Sequence, residues 1–101
     1  MPINSPVLEV ALIAVKPGSE AAFEAAFAEA RKLPEHIAGF RGLELRRGVE
    51  HPSRYVLIAW WDSVENHTRD FRESAHFAQW RALLGPYFDG APEVFHASAA
   101  L

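Results

Sequence analysis

The sequence predicts an α+β fold in which a four-stranded antiparallel sheet carries helices on one face. Three observations lead to this prediction. The segments with strand or helix character follow one another in the order β-α-β-β-α-β, which is a split βαβ arrangement. The chain has 101 residues, of which 50% are hydrophobic, so it is the size of one domain. Two strand segments are apolar on both faces, which requires both sides of the sheet to be covered.

The first strand and the first helix are separated by a clear break. Residues 7–15 read VLEVALIAV, a nearly continuous apolar and β-branched run that predicts a central strand. Residues 16–18, Lys-Pro-Gly, end the strand, and Ser19 is the expected N-cap of a helix that continues to residue 33. The helix should bury one stripe at spacings of four and three, formed by Phe23, Phe27, Ala30 and Leu33.

The second and third strands are predicted to form a hairpin. Residues 40–47, FRGLELRR, alternate between apolar and charged side chains, which is typical of a half-exposed strand. Residues 54–61, RYVLIAWW, have no polar face and predict a strand that is covered on both sides. The polar segment 48–53 between them has the composition of a turn.

Two short helices are predicted after the third strand. Asp62 and Glu65 have the spacing of a capping box, which would open a helix towards Phe71. Ser74 is the expected cap of the second helix, which should end at Gly85. The buried face of that helix is predicted to hold Phe77, Trp80, Leu83 and Leu84.

A last strand over residues 92–97 completes the ferredoxin-like order, with the helices on one face of the sheet. The helix-free face would hold the alternate residues of the third strand, Val56, Ile58 and Trp60. In a chain this short only a second subunit can cover them, so we predict a homodimer whose sheets pack face to face. Residues 1–101 are treated as a single domain, with residues 1–6 and 98–101 expected to be flexible.

Composition and charge exclude several classes of protein. The chain has no cysteine, so it has neither a disulfide framework nor a Cys-based metal site. Its net charge of −3 provides no positive field for nucleic acid. The N-terminus lacks the basic segment of a signal peptide, and the apolar runs fall well short of the ~20 residues of a membrane span. We therefore expect a cytoplasmic protein without nucleic-acid or membrane partners.

Glu9 is the only charged residue inside the first strand, on the same face as Ala11 and Ile13. A carboxylate held against an apolar pocket has a raised pKa and can act as a general base. The alternative, which is the more frequent situation, is a structural ion pair with an arginine of the predicted hairpin, namely Arg46, Arg47 or Arg54. The sequence pattern leaves both alternatives open.

Aromatic residues of the third strand and the later helices predict an apolar cavity if the helices sit slightly off the sheet. These residues are Trp61, Phe71, Phe77, Trp80 and Phe88, although ordinary core packing accounts for most aromatics in so small a domain. Arg72 is placed to bind an anionic substrate or, alternatively, to end a solvated helix.

The histidine spacings do not predict a metal site, because neither H-x₃-H nor H-E-x-x-H occurs. His96 is predicted to point either into the cavity or into the dimer interface. His76 is expected at the cavity mouth or on the surface, and His36 and His51 are expected in solvent-facing loops.

Four segments in order resemble the antibiotic biosynthesis monooxygenase (ABM) domains of the dimeric α+β barrel superfamily. They are LIAVKPGSEAAFEAAF, AGFRGLEL, YVLIAWWDSVENH and FRESAHFAQWRALLGPYF. The most specific parts are the Trp-Asp-Ser segment after the third strand and the Ser-x-x-Phe-x-x-Trp helix. The resemblance covers nearly the whole chain and implies the fold of a dimeric α+β barrel.

The resemblance also implies a function. Members of known chemistry oxidise aromatic or other electron-rich substrates with O₂ in a pocket between sheet and helices, several of them without metal or flavin. The chain is therefore expected to be a small cofactor-independent monooxygenase acting on an aromatic or polyketide-like substrate. No cofactor is predicted, and haem and flavin are left open. The alternatives are a ligand-binding or stress-response protein of the same fold, and a non-oxygenase enzyme of the superfamily.

The resemblance assigns candidate site residues, with two departures. The strand-ending Trp of quinone-forming members matches Trp61, their pocket Asn is replaced by Leu57, and their pocket Tyr is replaced by His67. His67 is therefore the candidate general base beside Trp61. Leu57 disfavours the quinone-forming mechanism, and Ala11 at the strand-one Asn position disfavours haem degradation. The substrate-binding candidates are Leu57, Phe71, Arg72, Phe77, Trp80 and Glu9.

Overall fold

The computed structural model describes residues 6–101 and contains the predicted strands and helices in the predicted order. The strands are β1 (Val7–Ala14), β2 (Phe40–Arg47), β3 (Arg54–Trp61) and β4 (Glu93–Ser98), and the α-helices are α1 (Glu20–Ala30) and α2 (Ala75–Leu84). Short 3₁₀ turns occupy Pro34–His36 and Gly85–Tyr87, and Asn66–Phe71 forms a π-helical turn. Most of the N-terminal segment that was expected to be flexible, residues 1–5, lies outside the described residues.

The four strands form one antiparallel sheet in the order β2-β3-β1-β4. This order, with the helices on one side, confirms the predicted ferredoxin-like α+β fold. The two strands that are apolar on both faces, β1 and β3, occupy the centre. Glu9 of β1 lies opposite Ala59 of β3 and His96 of β4.

The helix side of the sheet carries the hydrophobic core. The alternate residues of β1 and β3, together with inward residues of the helices, are almost fully buried there: Ala11, Ile13, Val15, Phe23, Phe27, Ala30, Tyr55, Leu57 and Leu84. A second buried cluster of Ala59, Trp61 and Phe71 adjoins it near the end of β3.

The other side of the sheet is apolar along β1 and β3, carries Glu44, Arg46 and Glu93 on the outer strands, and is only partly buried in the single chain. We call it the open face and define it by Leu8, Val10, Leu12, Val56, Ile58, Trp60 and Phe95. Leu12 is 42% exposed and Phe95 is 48% exposed. The other members of this face are partly buried. The predicted homodimer would cover this face.

Helix α1 is shorter than predicted, because it ends at Ala30 and not at residue 33. Lys32 N–H donates to Glu29 and Leu33 N–H donates to Ala30, so the last turn tightens to 3₁₀ spacing. Leu33 keeps helical dihedrals, but Pro34 has no N–H to donate to the Ala30 carbonyl, so the α-helical hydrogen-bond ladder cannot continue. Ser19 is at the N-cap as predicted, but its side chain makes no capping hydrogen bond.

The segment after β3 begins at a different cap from the one predicted. Ser63 Oγ accepts from the Asn66 N–H at 3.2 Å, and Asn66 Oδ1 accepts from the Ser63 N–H at 3.0 Å. The reciprocal pair is therefore Ser63 with Asn66, one residue later than the predicted Asp62 with Glu65. The Asp62 carboxylate points instead to Arg41, whose Nε–H donates to Oδ1 over 2.6 Å.

Helix α2 begins as predicted, since Ser74 Oγ accepts from the Phe77 N–H at 3.2 Å. It ends at Leu84, whose side chain is fully buried. Leu83 was predicted on the same buried face, and this is wrong: the side chain is 37% exposed. Adjacent helical residues point about 100° apart, so Leu83 and Leu84 cannot both face the core centre.

Candidate active site

A cavity of about 530 Å³ lies between the helix side of the sheet and the helices. Its wall is mostly apolar and includes Trp61 and Leu57 of β3, Phe71 of the π-helical turn, and Phe77 and Trp80 of α2. Two buried polar side chains, Glu9 and His67, interrupt the apolar wall, while the exposed residues Arg72 and Arg81 line the cavity where it meets solvent.

Glu9 is fixed in the cavity wall by its neighbours on the sheet. It shares the helix side of β1 with Ala11 and Ile13 and is only 6% exposed. Trp61 Nε1–H donates a hydrogen bond to Glu9 Oε1 over 3.0 Å. Burial raises the pKa of Glu9, and the Trp61 hydrogen bond and the positive charge of Arg72 oppose this increase. Glu9 can therefore hold a proton more readily than an ordinary glutamate.

The predicted ion pair between Glu9 and a hairpin arginine is wrong. Arg46 contacts Glu44, and Arg47 contacts Glu24. The register explains this, because Arg54 lies opposite Ala14 at the far end of β1, five residues from Glu9. At about 3.3 Å per residue that distance is beyond a direct contact. The cation that acts on Glu9 is Arg72, from the segment before α2.

His67 lies in the π-helical turn Asn66–Phe71, and its side chain is 3% exposed. The Arg72 N–H donates to the His67 carbonyl over 3.1 Å, which is the i to i+5 bond of a π-helix. The imidazole stacks on the Trp61 indole, with ring centroids 5.5 Å apart. Burial, Arg72 and His96 together lower the pKa of His67 to about 3, so the ring is neutral near pH 7.

The imidazole of His67 is placed between two polar partners. Its Nε2 is 3.4 Å from Glu9 Oε1, and its Nδ1 is 2.9 Å from His96 Nε2. His96 is the β4 neighbour of Glu9 and is only partly buried. The sequence left open whether His96 points into the cavity or into an interface. It lies on the helix side, against His67, and is not part of the cavity wall.

All eight residues that the sequence singled out for a site line this one cavity. They are Glu9, Leu57, Trp61, His67, Phe71, Arg72, Phe77 and Trp80. Sequence reasoning missed Arg81 and the loop of residues 90–92, which also line it. Arg81 follows Phe77 by four residues, so helical spacing could have indicated it. No local signal could have found the loop, because only the packing of the whole chain brings it to the cavity.

The other histidines lie away from this cavity. His76 stacks on His36, with ring centroids 4.5 Å apart and planes 8° apart, and neither lines the cavity. His76 therefore does not lie at the cavity mouth. Within residues 6–101 no group of three or more potential ligands is arranged to hold a metal ion. Across the same residues, no helix is long and apolar enough to cross a bilayer.

The fold and the cavity define a class of protein: a ferredoxin-like domain with a ligand-sized apolar cavity and a buried carboxylate–histidine pair in its wall. The chain belongs to the antibiotic biosynthesis monooxygenase (ABM) family, whose model matches residues 6–83. This confirms the resemblance found in the sequence.

The chain is similar to several individual proteins. A Bordetella bronchiseptica structure described as a candidate antibiotic biosynthesis monooxygenase is 44% identical, with a TM-score of 0.92 over 96% of this chain and 99% of that one. The uncharacterised Bacillus subtilis protein YczJ is 33% identical over 90 residues, which are 89% of this chain and 95% of that protein. SnoaB, a cofactor-independent oxygenase from Streptomyces nogalater, is 24% identical, with a TM-score of 0.82 over 96% of this chain and 95% of that one. At this level of identity, the similarity to SnoaB supports the fold of this chain and nothing about its activity.

Proposed function

We propose that this protein is a cofactor-independent monooxygenase that oxidises an aromatic or polyketide-like substrate with O₂. The observation that carries the proposal is the apolar cavity with the Glu9–His67 pair in its wall. Family membership and the fold likeness to SnoaB agree with this activity. In such chemistry the ionised substrate itself reduces O₂, so the protein needs a base, an oriented site and little water.

The cavity suits a planar aromatic substrate of modest size. Its volume of about 530 Å³ lies within the range of small-molecule sites. The rings of Trp61, Phe71 and Phe77 offer apolar faces and edges for stacking. Arg72 lies at the solvent side of the cavity, where its guanidinium would stabilise a substrate oxygen that becomes negative.

The Glu9–His67 pair provides the proton acceptor of the proposed reaction. His67 is neutral near pH 7, so one of its ring nitrogens carries no proton and can accept a hydrogen bond from a polar neighbour, while its lowered pKa leaves Glu9 as the stronger base of the pair. The raised pKa of Glu9 makes its carboxylate a better proton acceptor than an ordinary glutamate. His67, the candidate base from the sequence, therefore acts together with Glu9, which is in the same wall.

The proposed reaction inserts one oxygen atom and releases the other as water. Removal of a proton from an acidic C–H or O–H group gives a resonance-stabilised anion, and this anion passes electrons to O₂. A C–O bond forms to give a peroxide anion at the reacting carbon. That carbon's remaining hydrogen moves as a proton to the outer peroxide oxygen as the O–O bond breaks, which gives a carbonyl and hydroxide. The hydroxide takes up the first proton, so a CH₂ group and O₂ yield a C=O group and H₂O.

Leu57 favours a second candidate function, that of a ligand-binding protein without oxygen chemistry. Its apolar side chain occupies the cavity wall at the position where the quinone-forming members that the sequence resembles carry an Asn. An amide there can hydrogen-bond a substrate oxygen, whereas leucine can only pack against the ring. Oxygen uptake separates the two functions.

We further propose a homodimer that buries the open face. Residues Leu12, Trp60 and Phe95 belong to a continuous apolar surface of a kind that monomers rarely expose. Packing of two such sheets would place the cavities on the outer sides of the dimer, because each cavity lies on the helix side of its own sheet.

Oxygen uptake by the purified protein tests the proposed activity. Chelator-treated protein is mixed with hydroquinones, naphthols and anthrones, and O₂ consumption is recorded together with ligand binding. We expect uptake with at least one compound, and a decrease of about 10²–10⁴-fold in His67→Ala, the range of general-base effects. His51→Ala, in an exposed loop, is the matched control. Tight binding without enzyme-dependent uptake would overturn the oxygenase proposal in favour of the ligand-binding protein.

A further inference from the structure

Three polar side chains from three elements form one row of contacts between the cavity and the edge of the sheet. We call it the Glu9–His67–His96 row. Glu9 comes from β1, His67 from the π-helical turn and His96 from the edge strand β4. The contacts in order are 3.4 Å from Glu9 Oε1 to His67 Nε2, and 2.9 Å from His67 Nδ1 to His96 Nε2. Glu9 and His67 are almost fully buried, whereas His96 is partly exposed. The Glu9–His67–His96 row therefore has one end at the cavity and one end near solvent.

The protonation states of Glu9, His67 and His96 are linked, because a neutral imidazole has one N–H and one acceptor nitrogen. When Glu9 is ionised, His67 Nε2–H points to Glu9, and His67 Nδ1 accepts from His96 Nε2–H. When Glu9 is protonated, it donates to His67 Nε2, and His67 Nδ1–H donates to His96 Nε2. A change at Glu9 thus requires both histidines to change tautomer together.

We propose that Glu9, His67 and His96 form a proton relay, in which Glu9 takes the substrate proton and His96 is the outer terminus. This inference rests on the proposed oxygenase for its chemical role. The proton moves from the Glu9 carboxyl to His67 Nε2, while the Nδ1 proton of His67 moves to His96 Nε2. His96 then releases its own Nδ1 proton to water. Return of a proton along the same path restores all three groups when the hydroxide leaves the product.

The charges around the Glu9–His67–His96 row favour proton transfer that does not leave a positive charge on His67. Arg72 is a cation that acts on all three members, and Glu9 is the anion 3.4 Å from His67 Nε2. Burial and Arg72 make a protonated His67 costly, so a proton passes through the ring without remaining on it. Moving the proton to His96 leaves the negative substrate beside Arg72 during its reaction with O₂. His96 acts through His67, so it is a positioning residue and does not touch the substrate.

Nitrogen-15 NMR of the histidine rings tests the relay without any substrate. In the wild type, we expect the tautomers of His67 and His96 to change together, with one midpoint that follows the titration of Glu9. In Glu9→Gln the side-chain amide cannot take up or release a proton, so this linked change of tautomer should disappear from both rings. Independent titration of the two rings in the wild type would overturn the relay, whatever the activity.

Kinetics of His96→Gln test the chemical role. We expect a lower kcat, by about 10-fold or more, with little change in KM, together with recovery of the rate on addition of imidazole. His96→Phe is the second variant if the glutamine disturbs the strand, and His51→Gln is the matched control. A rate that falls without imidazole rescue would overturn the relay as a proton path. Linked tautomers in a wild-type protein that consumes no oxygen would overturn the proposed function and support the hydrogen-bonded relay.

Discussion

The indole N–H of Trp61 donates to Glu9 Oε1 over 3.0 Å, and the two side chains are 1% and 6% exposed. Glu9 lies opposite Ala59, two residues before Trp61, so the pair is a diagonal contact across the two central strands. Both residues are on rigid strands and not on loops. The sheet itself therefore holds the carboxylate towards the cavity.

Replacing Trp61 by phenylalanine should raise the pKa of Glu9 further. The indole hydrogen bond favours the ionised carboxylate and thereby lowers its pKa, so its loss leaves burial less opposed. Carbon-13 NMR of the side-chain carboxyl measures the change. Trp60→Phe, on the other face of the same strand, should leave the Glu9 titration unchanged. An unaltered Glu9 pKa in Trp61→Phe would show that the indole hydrogen bond does not lower the pKa of Glu9.

Replacing Arg72 by methionine should raise the pKa of Glu9, His67 and His96 together. The positive charge stabilises the carboxylate and destabilises both imidazolium forms, so it lowers all three values. An NMR titration of the three side chains measures the effect. Arg69→Met is the control, because Arg69 is exposed and paired with Asp70. If the pKa of only one of the three groups changes, Arg72 does not act on the whole Glu9–His67–His96 row.

The unfolding free energy should fall as the pH is lowered from about 6.5 towards 3. In that range the unfolded chain binds a proton at His67 that the folded chain excludes, because the folded pKa is about 3. One such proton gives a slope of about 1.4 kcal/mol per pH unit. Glu9 acts in the opposite direction: its raised pKa adds stability at low pH, and this is lost as the pH rises through the folded value.

Denaturant unfolding at a series of pH values measures this dependence. His67→Gln should flatten the acid limb relative to the wild type, and His51→Gln, which changes an exposed ring, should follow the wild-type curve. Parallel curves for His67→Gln and the wild type would show that His67 is protonated normally in the folded protein.

Trp60→Asp should dissociate the proposed homodimer. The substitution places a charge on the open face near the end of β3, where burial of an unpaired carboxylate in the interface costs several kcal/mol. Sedimentation velocity at a series of concentrations measures the oligomeric state. Val49→Asp is the matched control, since Val49 is 88% exposed in the β2–β3 turn. A folded Trp60→Asp dimer would rule out the open face as the interface.

Gly39→Ala should destabilise the protein more than Gly18→Ala. Both glycines have positive φ, +90° and +93°, so each substitution has the strain of a left-handed residue, on the order of 1–2 kcal/mol. A Cβ at residue 39 would also overlap the Asn66 side-chain amide, whereas nothing lies within 4 Å at residue 18. Since Asn66 caps the turn that holds His67, only Gly39→Ala should also disturb the His67 resonances. Equal losses of stability would contradict this.

The sequence was sufficient for the fold because its signals are local. The apolar runs of β1 and β3, the Ser74 cap and the turn at residues 48–53 each depend on neighbouring residues, and the element order then fixes the sheet. Period-two alternation also placed Glu9 on the same face as Ala11.

The remaining parts of the site depend on relationships between distant segments. The contact of His96 with His67 requires both the β1–β4 register and the wide turn at Asn66–Phe71, and neither has a sequence signature here. The hairpin arginines were assigned to Glu9 because residue spacing does not reveal which end of the sheet they occupy. The capping box was misplaced by one residue because Asp62 and Ser63 are both good caps, and only the contact with Arg41 separates them.

The π-helical turn also affects how relatives should be compared. It holds one more residue than an α-helical turn of the same height, and each residue of an α-helix adds a rotation of about 100°. Deleting one of residues 68–70 would restore regular winding and rotate the following segment, with Phe71 and Arg72, by about 100° relative to His67. A single-residue gap at this point in an aligned relative would therefore signal a different position of the residue equivalent to Arg72 relative to the buried carboxylate and imidazole, even where the rest of the chain superimposes closely.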